Sequence, residues 1–195
     1  MGVPIDRLII ATNVNDILDR TLKTGRYETR GVHASSSPSM DIQVSSNFER
    51  LLFMASGHNG VEVRAMMDSL SQSGAFTLPQ KVLQAIRSEF DAGSASEAET
   101  QETIAKMFKA DGEVLDPHSA VAVHVASRQP VSATPMVALA TAHPAKFPDA
   151  VAAAIGQRPT FPARLSHLLE APERFTLLPN SATAVRDFIL GLKVA

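Results

Sequence analysis

Apolar positions along this chain change period several times, and each change marks an element. Near the N-terminus, DRLIIAT (6–12) carries Leu, Ile and Ala with little alternation. That pattern predicts a strand buried on both faces of a parallel sheet, which needs neighbouring strands. The turn NVND follows, with Asn15 or Asp16 as the cap of a helix over DILDRTLKTG and Gly25 as its stop. Residues 26–32 have short strand character, and the run SSSPS at 35–39 reads as a loop. Helical spacing then takes over. SSNFERLLFMASG repeats apolar residues at Phe48, Leu51, Leu52 and Ala55, with Ser46 or Asn47 as cap. HNGVEVRAMMDSLSQSG and LPQKVLQAIRSEFDAG continue that spacing. SASEAETQETIAKMFKADG opens acidic and ends with lysines, which matches a helix dipole. Residues 47–111 therefore read as consecutive helices with short breaks, their Met and Phe stripes facing a core.

The pattern changes again after residue 112. In EVLDPHSAVAVHVASRQ, Asp116 is a good N-cap and Pro117 a good first helical residue. PMVALATAHPAKFPDAVAAAIG predicts a strand over 136–140, a polar junction, and a helix over 145–155. RFTLLPNSATAVRDFILGLKVA predicts a short strand, a Ser181 cap and a final amphipathic helix. A strand feeding a helix is the unit of α/β folds.

Composition narrows the function classes. The chain has 195 residues, 45% of them hydrophobic, and a formal net charge of −2. That charge offers no electrostatic footprint for nucleic acid or an anionic membrane, and aromatic residues at 5% with no Trp leave little for base stacking. There is no Cys, hence no disulfide framework and no thiolate metal site. The N-terminal residues lack the basic and apolar regions of a signal peptide, and a cytoplasmic protein is the expectation. No nucleotide-binding glycine motif, Walker loop, nucleophile elbow or H-E-x-x-H motif occurs.

Chemistry-bearing residues collect at three places. The junction LATAHPAKF holds Thr141 at the end of the predicted strand, where α/β sheets gather ligands, followed by His143 and Lys146. Lys146 sits at the positive end of a helix dipole, and reads as structural or as an anion contact. His143 reads as a junction residue bonded to backbone. His118 and Ser119 lie in the first turn after the Asp116 cap; the spacing of His118 and His124 is not that of a helical metal pair, and no metal site is expected. The serine run at 35–39 reads as a solvated linker; the alternative is an anion-binding or substrate-facing loop, since hydroxyls and free backbone N–H groups suit phosphate and carboxylate.

Several strings occur in a fixed order: PIDRLIIATNVNDILDRTLKTGRY, SPSMDI, SNFERLLF, DPHSAV and ATAHPAKFPDAV. Together they resemble the C-terminal part of threonine synthase, of the longer bacterial and fungal branch. The likeness is close over 1–53 and 111–155 and looser elsewhere. It implies an α/β fold: the C-terminal part of a fold type II pyridoxal-phosphate enzyme, a parallel or mixed sheet flanked by helices with a mostly helical insertion. Residues 1–46 would belong to the cofactor-binding domain, 47–111 to the helical insertion, and 112–195 to a return to the α/β domain. The implied reaction converts O-phospho-L-homoserine and water to L-threonine and phosphate. By this resemblance Thr141 meets the pyridine nitrogen of the cofactor, and Asn13, Asn15, Ser37, Ser39, Asp41, His118, Ser119, His143 and Lys146 are candidate pocket residues.

The family's Schiff-base lysine, in a Phe-Lys-Asp context, and its Gly-Asn-Phe-Gly phosphate loop are absent from the 195 residues. Met1 matches an internal position of the family. The chain is therefore expected to be a C-terminal portion, inactive alone. Its expected partner is the missing N-terminal part of the same enzyme, or a second copy of itself. The alternative is a non-catalytic α/β binding or regulatory remnant.

Overall fold

The computed structural model describes Gly2 and residues 4–192. The chain divides into two compact units, Met1–Thr160 and Phe161–Ala195. In the first, the order is β1 (Leu8–Thr12), α1 (Ile17–Thr24), β2 (Arg26–Glu28), a 3-10 turn (Pro38–Met40), α2 (Phe48–Ala55), α3 (Gly60–Ser73), β3 (Ala75–Thr77), α4 (Gln80–Glu89), β4 (Phe90–Ser94), α5 (Glu97–Asp111), α6 (Pro117–Ser127), a second 3-10 turn (Pro144–Lys146) and α7 (Pro148–Ile155). The second unit holds a 3-10 segment (Ala163–Leu169) and α8 (Ala182–Gly191), capped by the Ser181 hydroxyl. Among the described residues, no helix is long and apolar enough to cross a membrane.

LIIAT forms β1, and its partner is β4, parallel, with Leu8 opposite Phe90 and Thr12 opposite Ser94. Both strands therefore end on the same side. Arg7 ties their starts together through Asp91 at 2.6 Å. Burial on both faces is not observed: with one neighbouring strand, β1 is half-covered and Leu8 is 39% exposed.

A second core forms around β2, which pairs antiparallel with β3. Tyr27 of β2 lies between Phe48 and Phe76, with ring centroids 5.5 and 4.9 Å away and near-parallel planes. Its phenol accepts the Ser45 N–H at 2.9 Å. Burial pushes the phenol pKa up, and that hydrogen bond partly opposes the shift. Ile17, Leu52, Met66, Val82 and Ile86 complete this cluster. Gly25 ends α1 at φ 75, in the left-handed region that favours glycine. Asp16, at the start of α1, does not cap it; the carboxylate turns to Arg20 at 2.7 Å.

Helices α5, α6 and α7 pack together, with Ile104, Ala120, Val121, Val125 and Val151 buried. Their meeting with the sheet depends on Gly93. A Cβ there would stand 2.8 Å from Val125 Cγ1. Val125 is β-branched and buried, so it cannot swing aside. Gly93→Ala is expected to lower stability by about 1–3 kcal/mol through overpacking, read as a lower urea midpoint at unchanged slope.

Four sequence expectations are corrected. Residues 47–111 are not helices throughout, since β3 and β4 lie within them. The apolar stripe Val82, Ile86, Phe90 runs at helical spacing into β4 and hides the change of element. The expected strand at 136–140 is absent; Met136, Val137 and Leu139 are exposed. A strand exists only by pairing, and no described strand lies beside these residues. The short strand expected in RFTLLP is likewise unformed, with Phe175 74% exposed. Finally, the helix expected over 145–155 is broken. Pro148 cannot donate to the preceding turn and forces Phe147 out of helical geometry, to φ −129 and ψ 53.

Candidate functional site

β1 ends at Thr12, and the chain turns on Asn13. Its side-chain oxygen accepts the Asn15 N–H at 2.9 Å, a local turn typical of asparagine. Its amide donates across the fold, shared between the Ser35 hydroxyl at 2.8 Å, the Ser37 hydroxyl at 3.0 Å and Asp41 Oδ1 at 2.8 Å. Asn15 donates to the His33 carbonyl at 2.8 Å and to Asp41 Oδ1 at 3.0 Å, and accepts the His33 N–H at 2.9 Å. Asp41 also receives the Ser35 N–H at 2.9 Å and the Ser35 hydroxyl at 2.5 Å. Asn13, Asn15 and Ser37 are buried, the first and last completely. Burial pushes the Asp41 carboxyl up, but the Ser35 hydroxyl and N–H and the Asn13 amide outweigh it. The result is a pKa below the ordinary carboxylate range.

This network corrects the reading of the serine run as a solvated linker. It also corrects the reason for the alternative. The N–H groups of Ser35, Ser36, Ser37, Ser39, Met40 and Asp41 are all engaged within the protein, and Pro38 has none. The loop therefore offers an anion no free backbone donors in this structure. What remains is hydroxyl chemistry: Ser36 Oγ is buried without a partner among the described residues, and Ser39 is exposed. The Ser36 N–H is held by Glu97 Oε2 at 3.0 Å, from the start of α5 just beyond β4. The network thus sits at the carboxyl end of the parallel pair, where open α/β sheets bind ligands.

The third wall comes from α6. Asp116, 1% exposed, caps the helix by accepting the His118 and Ser119 N–H groups at 2.9 and 3.3 Å. The same carboxylate contacts His118 Nδ1 at 2.9 Å and takes the Ser119 hydroxyl in a short hydrogen bond. His118 Nε2 accepts the Ser39 N–H at 3.3 Å, which makes Nδ1 the protonated nitrogen of the neutral ring. Phe147 lies against the ring, centroids 4.7 Å apart.

The structure therefore brings together Asn13, Asn15, Ser37, Ser39, Asp41, His118 and Ser119. Thr141, His143 and Lys146 are exposed on the neighbouring segment and join by sequence to Phe147. His143 Nδ1 accepts the Ala145 N–H at 3.1 Å, and the Lys146 amine stands 5.8 Å from the Phe147 ring centroid. Ser35, Glu97 and Phe147 are members that sequence reasoning misses. Ser35 and Ser37 alternate in a loop, a signal that two serines share one face; nothing local points to Glu97. Among the described residues, no three His, Asp or Glu side chains converge as a metal group would require.

A parallel pair flanked by helices, with polar side chains from distant segments meeting at its carboxyl end, defines an α/β chain with a candidate ligand site at that end. The family model "Threonine synthase, C-terminal" matches residues 119–189. Threonine synthase of Pseudomonas aeruginosa is 47% identical over 192 residues, covering 97% of this chain and 41% of that protein. The crystal structure of PLP-bound threonine synthase from Brucella melitensis superposes with a TM-score of 0.86 at 56% identity, over 97% of this chain and 41% of that one. The yeast enzyme gives 0.79 at 33% identity, over 98% and 43%. The chain belongs to the threonine synthase family, and spans about two-fifths of the length of the curated relatives it matches.

Proposed function

We propose that this chain acts as the C-terminal part of a threonine synthase. Together with the rest of such an enzyme it serves the conversion of O-phospho-L-homoserine and water to L-threonine and phosphate, with pyridoxal phosphate as cofactor, in the cytoplasm. The likeness over nearly the whole chain to the PLP-bound Brucella enzyme carries this reading. In the whole protein, 1–46 and 112–195 belong to the cofactor-binding domain and 47–111 to a mostly helical insertion, tied to the sheet by β4.

The residues present fit the group. A pyridine nitrogen needs a hydrogen-bond donor, and Thr141 is exposed with its hydroxyl free of hydrogen bonds among the described residues. When bound, the cofactor supplies the electron sink for proton loss from the substrate carbons. Thr141 donates to a neutral ring nitrogen, where a carboxylate would instead hold the protonated form. His143 fixes the turn beside it, and Lys146 is structural or an anion contact. The exposed Ser39 hydroxyl faces the substrate. Asn13, Asn15, Ser37, Asp41, His118 and Ser119 hold that wall rigid, as a site built on fixed side chains requires.

The lysine that links the cofactor in the family, and the glycine-rich phosphate loop, are not among these 195 residues. The purified chain is accordingly expected neither to develop visible absorbance with added pyridoxal phosphate nor to release phosphate from O-phosphohomoserine. A whole enzyme containing these residues does both. Substantial phosphate release by the isolated chain would overturn the reading.

A further inference from the structure

We propose that His118 is a positioning residue of this site: its Nε2 holds the Ser39 N–H, and so sets where the 35–41 loop stands. The inference rests on the functional reading above, since it concerns how the substrate-facing Ser39 hydroxyl is held. Three observations carry it. His118 is 4% exposed, yet both ring nitrogens have partners on segments far apart in sequence: Asp116 on its own helix and Ser39 on the loop. Asp116 touches Nδ1 at 2.9 Å, which leaves Nε2 as the acceptor that Ser39 requires. Phe147 covers the ring at 4.7 Å and links it to the junction that carries Thr141.

The loop needs such a hold at this end. Its other end is fixed by Asn13, Asn15 and Asp41, and its middle by Glu97. At Ser39 the one described tether to the rest of the fold is His118. Without it, the Ser39 hydroxyl moves away from the bound substrate. A contact that serves ground state and transition state alike appears in KM and leaves kcat unchanged.

Two variants separate the roles of the two nitrogens. In His118→Gln the amide oxygen reaches the Nε2 position; in His118→Asn it reaches only the Nδ1 position. Both lose the stack on Phe147, so that loss cancels between them. In the whole enzyme loaded with cofactor, H118N is expected to raise KM for O-phosphohomoserine at least about 10-fold, with kcat within about 3-fold. Hydrogen exchange in a peptide covering residues 33–43 should quicken in H118N. H118Q is expected to keep both KM and loop protection near those of the unmodified enzyme. Equal KM values and equal loop exchange in the two folded variants overturn the inference. Should H118N not fold, H118Q decides alone, because it keeps the acceptor at the Nε2 position: raised KM and faster loop exchange in folded H118Q overturn the role. If the unmodified enzyme releases no phosphate, the functional reading fails instead, and the loop exchange still tests the His118–Ser39 bond.

Discussion

Asp116→Ala is expected to destabilise the protein by about 3–5 kcal/mol, seen as a large drop in the urea midpoint or as failure to fold. The carboxylate is inaccessible to solvent and accepts from four groups: two backbone N–H groups, the His118 ring and the Ser119 hydroxyl. Removal of an N-cap alone costs about 1 kcal/mol. Here the donors left behind are buried with His118 and Ser119, which water cannot reach, and each adds about 1–3 kcal/mol of unmet desolvation. Asp116→Asn keeps one acceptor and turns an NH2 toward the remaining donors, so it should fall between the two. A loss for the alanine variant under about 1.5 kcal/mol would show that the α6 terminus repairs itself, and would remove the support for a fixed His118.

The Asp116 cap could be read directly because its signal is local: an acidic cap, a proline at the first helical position, and small apolar residues after it. The same holds for LIIAT as a strand and for Gly25 as a helix stop. Features decided by distant partners were not legible. FDAGS continues the spacing of α4 through Ile86 and Phe90; what makes it a strand is pairing with β1, which lies 82 residues earlier. The serine run has the composition of a linker, and it is the Asn13 amide, twenty-four residues away, that draws Ser37 inside, while the Asn15 amide holds Asp41 beside it. At 136–140 the sequence has strand composition, and the described chain provides no strand to pair with it. Candidate site residues could be named one by one from the family strings. Their meeting at the carboxyl end of β1 and β4, and the parts played by Ser35 and Glu97, required the fold.

Asp41→Ala is expected to cost about 2–4 kcal/mol near neutral pH, because it strips the acceptor from the Asn13 and Asn15 amides and from both donors of Ser35. The size of that loss should depend on pH in a defined direction. Burial alone would raise the Asp41 pKa; hydrogen bonds from the Ser35 hydroxyl and N–H and from the Asn13 amide reverse this, and the folded value lies below the unfolded one. A carboxylate of this kind stabilises the fold fully above the unfolded value, about pH 4. Its contribution fades as pH falls through the folded value, where the native state must also take up the proton. The gap in stability between the parent and Asp41→Ala should therefore be widest at neutral pH and narrow below about pH 4. Glu28, Asp91 and Glu99 are also held low, by Arg26, Arg7 and the Ser96 N–H respectively. They are present in both proteins, so their acid sensitivity cancels in the difference. Urea unfolding at a series of pH values from neutral to acid measures that gap. A gap that stays constant, or widens toward acid, would mean that the loop is held by the asparagines and serines without the Asp41 charge.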